Sequence, residues 1–302
     1  MDGTSERLWV VVGVDGSDSS RYALEWSANQ AAQRGRGLTI LTAVGPPDAA
    51  GAFREIVPRG GEQETSDRLR DAQALLDYAR DWILRLFPEL SVRTRMPTAR
   101  AADALLDEAK QPDTSAVVVG SRGLGGLASA FVGSVGIELA AHSPVPVIVL
   151  PKKHEAAHRA KGRVVVGVDG SESSRRAVEF AFAQARWNEA ELVGVCAWQP
   201  MAAFVSAMGP VPPEAFDDEA VEATARRTAE AELAELREAY ADVSVDLRTV
   251  RAHPVVAILE EATPADLVVV GSRGRGGFRG LMLGSVSQSV LHGAHGPVAV
   301  VR

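Results

Sequence analysis

Val10-Val11-Val12-Gly13-Val14-Asp15-Gly16-Ser17 is the stretch on which the reading of this chain turns, because the same eight residues return unchanged at Val164 to Ser171. An exact recurrence of that length marks an internal repeat. A β-branched run that ends in Gly-Val-Asp-Gly-Ser reads as a short buried strand breaking into a turn and then a helix. Working outward, Val117-Val118-Val119-Gly120-Ser121-Arg122-Gly123 returns as Val268 to Gly274, at an offset of 151 residues against 154 for the first block. One unit is therefore written twice. The units are assigned to 1–150 and 163–302, joined by a polar, basic linker at 151–162 that includes His154 and His158.

Within each unit, short β-branched runs alternate with longer Ala-rich amphipathic stretches, the pattern of βαβ units and a parallel sheet. In the first unit the strands are expected at Leu8–Val14, Leu38–Val44, Leu90–Arg95, Ala116–Val119 and Val145–Leu150. The helices between them are expected at Ser19–Arg34, Thr65–Leu86, Ala101–Lys110 and Ser134–Ala141. The second unit places strands near 163–168, 191–198, 243–250, 266–270 and 297–301. The fold class is thus α/β: two tandem Rossmann-like units, each an open five-stranded parallel sheet with helices on both faces, in the order 3-2-1-4-5 if strands one to three wind one way and four and five the other. In such a sheet, ligands bind beyond the carboxyl ends of the strands where the winding reverses, and the two repeated blocks end strands one and four.

The 302 residues are 46% hydrophobic and 24% charged with a net charge of −7, which suits two soluble domains and argues against a sequence-independent hold on nucleic acid or an anionic membrane; no apolar run is long enough to suggest insertion into one. The single cysteine, Cys196, excludes an intrachain disulfide and is compatible with a cytoplasmic location. The six histidines show no ligand spacing, so no metal site is expected.

After strand four the residues Gly120, Gly123, Gly133 and Ser134 keep a spacing that Gly271, Gly274, Gly284 and Ser285 repeat, while the nine residues between the second and third glycines differ. Glycines at fixed places allow positive φ and close approach to an anion, and Gly133-Ser134 opens a helix whose N–H groups and dipole favour phosphate. Ser134 and Ser285 either add a hydroxyl to that site or cap the helix.

These residues resemble the universal stress protein family, whose ATP-binding subgroup carries G-2x-G-9x-G-[S/T]. The V-G-V-D-G-S opening and the closing strands Pro146–Leu150 and Pro297–Val301 fit it as well, in both units. The resemblance implies that Gly13, Val14 and Asp15 lie against adenosine, with Val44 or Ala43 lining the base pocket. In the second unit the matching residues are Gly167, Val168, Asp169 and Ala197, with Trp198. It sets Arg122 and Arg273 beside the phosphates, where solvated surface positions are the alternative, and Val135 and Val286 just inside the following helices. Asp15 also reads as a turn residue bonding its own backbone. Family members pair through the fifth strand, so the two units are expected to pair within the chain, with a homodimer of chains open to it.

No G-x-x-x-x-G-K-[ST], no G-x-G-x-x-G after the first strand and no G-x-S-x-G occurs, which argues against a P-loop enzyme, a dinucleotide enzyme and a nucleophile-elbow hydrolase. Gly120–Ser134 and Gly271–Ser285 contain no Lys, His, Asp or Glu. The expectation is an ATP-binding regulatory module, not an enzyme, with any Mg2+ carried on the phosphates, an unknown protein partner, and switching segments at Gly45–Glu64 and Gln199–Phe216. A slow ATPase or phosphotransferase on the same scaffold is the alternative.

Overall fold

Each Val-rich block becomes a strand in the middle of its own sheet, where both faces are covered and an unbroken run of β-branched residues packs well. The computed structural model describes residues 7–45, 62–121, 123, 132–151, 162–200, 217–262, 267–276 and 282–302. It divides into two units, Met1–Lys153 and His154–Arg302.

In the first unit the order is β1 (Trp9–Gly13), α1 (Asp18–Gln33), β2 (Gly37–Leu41), α2 (Glu62–Leu86), β3 (Val92–Arg95), α3 (Ala101–Ala109), β4 (Thr114–Gly120), α4 (Ser134–His142) and β5 (Val147–Leu150). Parallel pairing gives the sheet order β3-β2-β1-β4-β5. The second unit runs β6 (Arg163–Gly167), α5 (Glu172–Trp187), β7 (Glu191–Trp198), α6 (Asp218–Arg237), β8 (Val245–Arg251), α7 (Pro254–Ala262), β9 (Leu267–Gly271), α8 (Ser285–Gly293) and β10 (Val298–Val301). Its sheet has the same order, β8-β7-β6-β9-β10, again parallel.

The two repeated blocks are neighbours in both sheets, with Val11 beside Val117 and Val165 beside Val268. Right-handed crossovers that wind outward from the first strand and then reverse must place their helices on opposite faces. Accordingly α1 packs with α2 and α3 with α4, as α5 does with α6 and α7 with α8. Val11, Val118, Val165 and Val269 are wholly buried under these layers. Ala23, Ala28 and Ala31 form the buried face of α1, and their small size lets the helix lie close on the strands.

Four expected strands of the first unit are trimmed: β1 to Trp9–Gly13, β3 to Val92–Arg95, β5 to Val147–Leu150, and β2 most of all. β2 stops at Leu41 and not at Val44, where its ladder with β1 ends at Gly13; beyond it Thr42 N–H donates to the Arg95 carbonyl and Val44 N–H to the Pro97 carbonyl. The turn into the first helix is built the same way in both units. Ser17 and Ser171 cap α1 and α5 by accepting from Ser20 N–H and Ser174 N–H. Just before them Gly16 and Gly170 take φ of 84° and 79°, the left-handed region that a side chain disfavours.

Two substitutions separate backbone strain from crowding. Gly16→Ala should lower the unfolding free energy by about 1 kcal/mol, the cost of a left-handed non-glycine residue. Its Cβ would meet only Leu75, at 3.9 Å. Gly170→Ala should cost more, because the new Cβ would stand 2.6 Å from Thr228 Cγ2. Urea midpoints of the two variants test the ranking.

Candidate functional site

The carboxyl ends of the central strands of the second unit enclose a cavity of about 150 Å³. Gly167, Val168 and Asp169 line it from the end of β6, Ala197 from β7, and Val270 and Gly271 from β9. Arg273 and Gly274 border it from the loop after β9, and Val286 with Ser287 from the first turn of α8. Eight of the sequence-derived candidates of this unit therefore meet in one place: Gly167, Val168, Asp169, Ala197, Gly271, Arg273, Gly274 and Val286. Gly284 and Ser285 stand just outside the lining, at the start of α8.

Asp169 ties the two repeated blocks together. Its Oδ1 accepts from Ser171 N–H at 2.9 Å, and its Oδ2 accepts from Arg275 N–H at 3.1 Å across the strand-four loop. Ser173 reinforces the clasp: its hydroxyl donates to the Arg273 carbonyl and accepts from Arg273 N–H. In the first unit Asp15 makes the same local turn, with Oδ1 accepting from Ser17 N–H at 3.0 Å. The turn role read for this aspartate is thus present in both units, and Oδ2 is the oxygen that faces the glycine loop. A Cβ on Gly274 would lie 2.6 Å from Asp169 Oδ2, and one on Gly123 would lie 2.5 Å from Asp15 Oδ2.

Two expectations about this loop are corrected. The glycines Gly120, Gly123, Gly133, Gly271, Gly274 and Gly284 do not take positive φ; the left-handed conformation falls at Gly16 and Gly170, where the chain must turn from strand into helix. Gly123 and Gly274 are needed because a carboxylate occupies the space a side chain would fill. Ser134 and Ser285 do not cap the helices that follow. The N-caps are Gly133 and Gly284, with no side-chain cap bond, and the two serines are the first helical residues, both exposed. The opening N–H groups of α4 and α8, including those of Val135 and Val286, are thus left for a ligand or solvent. The N–H groups of Gly133 and Gly284 themselves donate to Ser121 and Ser272 carbonyls.

Sequence reading missed the wall from α7. Pro254 and Ile258 line the cavity, and Ile258 Cδ1 would be 2.9 Å from a Cβ on Gly167, as Leu105 Cδ1 of α3 would be 3.0 Å from one on Gly13. The signal was available: Pro254 opens a helix directly after β8, at the same carboxyl edge as the two repeated blocks. Strand register also sets Ala43, not Val44, level with Ala197, because Val10 pairs with Leu38 as Val164 pairs with Leu192. Val44 is level with Trp198. Arg122 lies outside the described residues, as do 46–61 and 201–216, most of the expected switching segments.

Charge around the second site is uneven. Glu232 of α6 is 6% exposed; it accepts from Gly170 N–H at 3.0 Å and from the Ser174 hydroxyl at 2.7 Å. Burial pushes its carboxyl above the ordinary value, Asp169 adds to the rise, and the two hydrogen bonds and Arg175 oppose it. Cys196 is buried beside them. Desolvation, then the carboxylates of Asp169 and Glu232, push its thiol up to about 11. The guanidinium Nε of Arg273 is buried without a partner among the described residues. Among those residues no group of three or more His, Cys, Asp or Glu could hold a metal ion, and no helix is long and apolar enough to cross a membrane.

The universal stress protein family model matches residues 9–151 and again 161–302. The chain belongs to the universal stress protein family. A universal stress protein of Mycolicibacterium smegmatis is 35% identical over 296 residues, which span 97% of this chain and 96% of that one. The crystal structure of a universal stress protein from Archaeoglobus fulgidus aligns with 97% of this chain and 98% of its own, at a TM-score of 0.67 and 20% identity, a likeness of fold. A universal stress protein solved in complex with cAMP is 32% identical, aligning with 46% of this chain and 96% of its own at a TM-score of 0.34.

Gly274→Ala should displace the Asp169 carboxylate from Arg275 N–H and destabilise the second unit by about 1 kcal/mol, the net worth of a hydrogen bond at a half-buried site. Gly276→Ala is the control, since its Cβ would meet nothing within 4 Å. Denaturant midpoints of the two variants decide it. For Cys196, the folded state keeps a proton that the unfolded thiol releases in its ordinary range. Its contribution to stability is therefore present below that range and lost as pH rises toward about 11. Iodoacetamide at neutral pH should leave the folded protein unmodified and alkylate Cys196 in urea.

Proposed function

We propose that the chain is an ATP-binding regulatory module with one adenine-nucleotide site in each unit, a binder and switch in place of a turnover enzyme. The observation that carries this reading is the division of labour within one cleft. Ala197, Ile258 and Val270 make an apolar wall suited to a base, Asp169 offers a carboxylate suited to ribose hydroxyls, and the uncapped first turn of α8 supplies N–H groups suited to phosphate. Arg273 borders the same cleft and can pair with a phosphate oxygen. In the first unit Gly13, Val14 and Asp15 at the end of β1, Ala43 or Val44 after β2, and Gly120, Gly123, Gly133, Ser134 and Val135 around the start of α4 carry the equivalent site. The units are taken as 1–150 and 163–302 with 151–162 as linker, in a cytoplasmic protein that passes its nucleotide state to a protein partner.

The absence of turnover follows from what lines the phosphate end. Phosphoryl transfer is accelerated by charge neutralisation and by a group that orients the nucleophile. Gly271–Ser285 and Gly120–Ser134 hold neither a lysine nor a carboxylate, so a divalent ion would rest on the phosphates and water. Asp169 is engaged by two backbone N–H groups and so held in place by the protein itself.

Ligand-stripped protein titrated calorimetrically with ATP should take up close to two nucleotides per chain, with cAMP as the competitor that asks whether a triphosphate is required. A stoichiometry of zero would refute the reading, and one would confine it to a single unit. Steady-state phosphate release should stay below about 1 s⁻¹, the low end of ordinary enzyme turnover. Faster release that is lost in a Gly123→Glu/Gly274→Glu double variant would establish an ATPase instead.

A further inference from the structure

The two units share their strand-one turn residue for residue, yet what stands behind that turn differs. In the second unit Glu232 reaches from α6 and accepts from both Gly170 N–H and the Ser174 hydroxyl. With its proton committed to Glu232, Ser174 Oγ turns a lone pair toward Asp169 and accepts from Asp169 N–H at 3.1 Å. A continuous chain of hydrogen bonds thus runs from a buried carboxylate on α6 to the backbone of the aspartate that lines the cavity.

The first unit offers no acid at the matching place on its helix. Gly16 faces Leu75 of α2 as Gly170 faces Thr228 of α6, so counting on along the two helices sets Ala79 in the place of Glu232. Ala79 is buried, at 3% exposure. There the Ser20 hydroxyl donates to the Ser17 carbonyl instead, and its oxygen lies 3.4 Å from Asp15 N, at the long end of a hydrogen bond.

We infer that Glu232 is a positioning residue of the second site, locking the Asp169 turn in its ligand-binding shape, so that nucleotide affinity there answers to pH while affinity in the first unit lacks this control. The ionised carboxylate accepts two charge-assisted hydrogen bonds; once protonated, one oxygen carries the proton and both bonds fall to the weaker, neutral kind. The groups that face it are Asp169, Ser174 and Arg175 from the strand-one turn and α5, and Cys196 from β7. Asp169 and burial together favour the proton on Glu232, which moves the transition upward from the usual glutamate range. This inference rests on the nucleotide reading for its ligand, but the lock itself belongs to the protein alone.

The test follows the backbone amide resonances of Gly16 and Gly170 by NMR in the full chain, with and without ATP, from pH 7.5 down to the acid limit of the folded protein. In the wild type the Gly170 signal should titrate and the Gly16 signal should not follow it. ATP affinity read at Gly170 should fall with acidification more than that read at Gly16. Glu232→Gln, a neutral mimic of the protonated acid, should remove the Gly170 titration and weaken ATP at that site by about tenfold at pH 7.5, as expected when a hydrogen bond to a charged group is lost. Glu232→Ala, which copies the first unit, should behave likewise and keeps the test open should the glutamine variant misfold. ATP affinity at Gly170 that is the same in wild type and variants, at both ends of that pH range, overturns the inference. If ATP moves neither glycine, the nucleotide reading fails and the role in ligand binding fails with it. The free-protein titration then decides the lock: present in wild type and absent in Glu232→Gln supports it, and absent in both overturns it.

Discussion

One carboxylate holds the second site together. Asp169 accepts from Ser171 N–H in its own turn and from Arg275 N–H more than a hundred residues later, so the end of β6 and the loop after β9 are fastened at a single side chain. A bond from a charged acceptor to a backbone N–H is among the stronger kinds. The glycine at 274 follows from it, because no side chain fits against Oδ2, and the same exclusion operates between Gly123 and Asp15. The spacing that looks like a phosphate signature is thus also a packing requirement of the protein, and the cleft keeps its outline through its own bonds.

That clasp is available only because β1 and β4, like β6 and β9, are adjacent, and adjacency is a consequence of the winding reversing at the first strand. Right-handed crossovers carry the chain outward through the second and third strands and then back past the first. The reversal leaves the carboxyl ends of two neighbouring strands with no helix crossing between them. Val-rich strands buried on both faces supply the rigid floor, while the loops above carry the polar groups. Function and stability therefore sit on different layers of the same element.

Duplication preserved the floor and let the supports drift. Both units keep the Ser cap, the left-handed glycine and the aspartate turn, but α2 presents Leu75 and Ala79 to that turn where α6 presents Thr228 and Glu232. The result is one site backed by hydrocarbon and one backed by a buried acid. Ala43 and Ala197 stand level in the two units, whereas Val44 and Trp198 beside them differ in bulk.

Much of this was legible along the chain. Exact recurrence of Val10–Ser17 and Val117–Gly123 determined the duplication, the alternating strand and helix pattern and the two strands that flank the cleft, since local periodicity and turn chemistry act over a few residues. The order 3-2-1-4-5 is the one expected of a sheet wound outward in both directions from its first strand, and the strand pairing has it. The tertiary structure decided what depends on distant residues meeting: that Gly274 yields to Asp169, that Ile258 and Pro254 close the cavity from α7, and that Glu232 braces the turn 62 residues before it. It also decided that Gly16 and Gly170 take the left-handed backbone, whereas Gly120, Gly123, Gly133, Gly271, Gly274 and Gly284 do not. A sequence specifies which side chains are present and how each segment prefers to fold, but a contact between α6 and the β6–α5 turn exists only once the sheet has brought the two helices side by side.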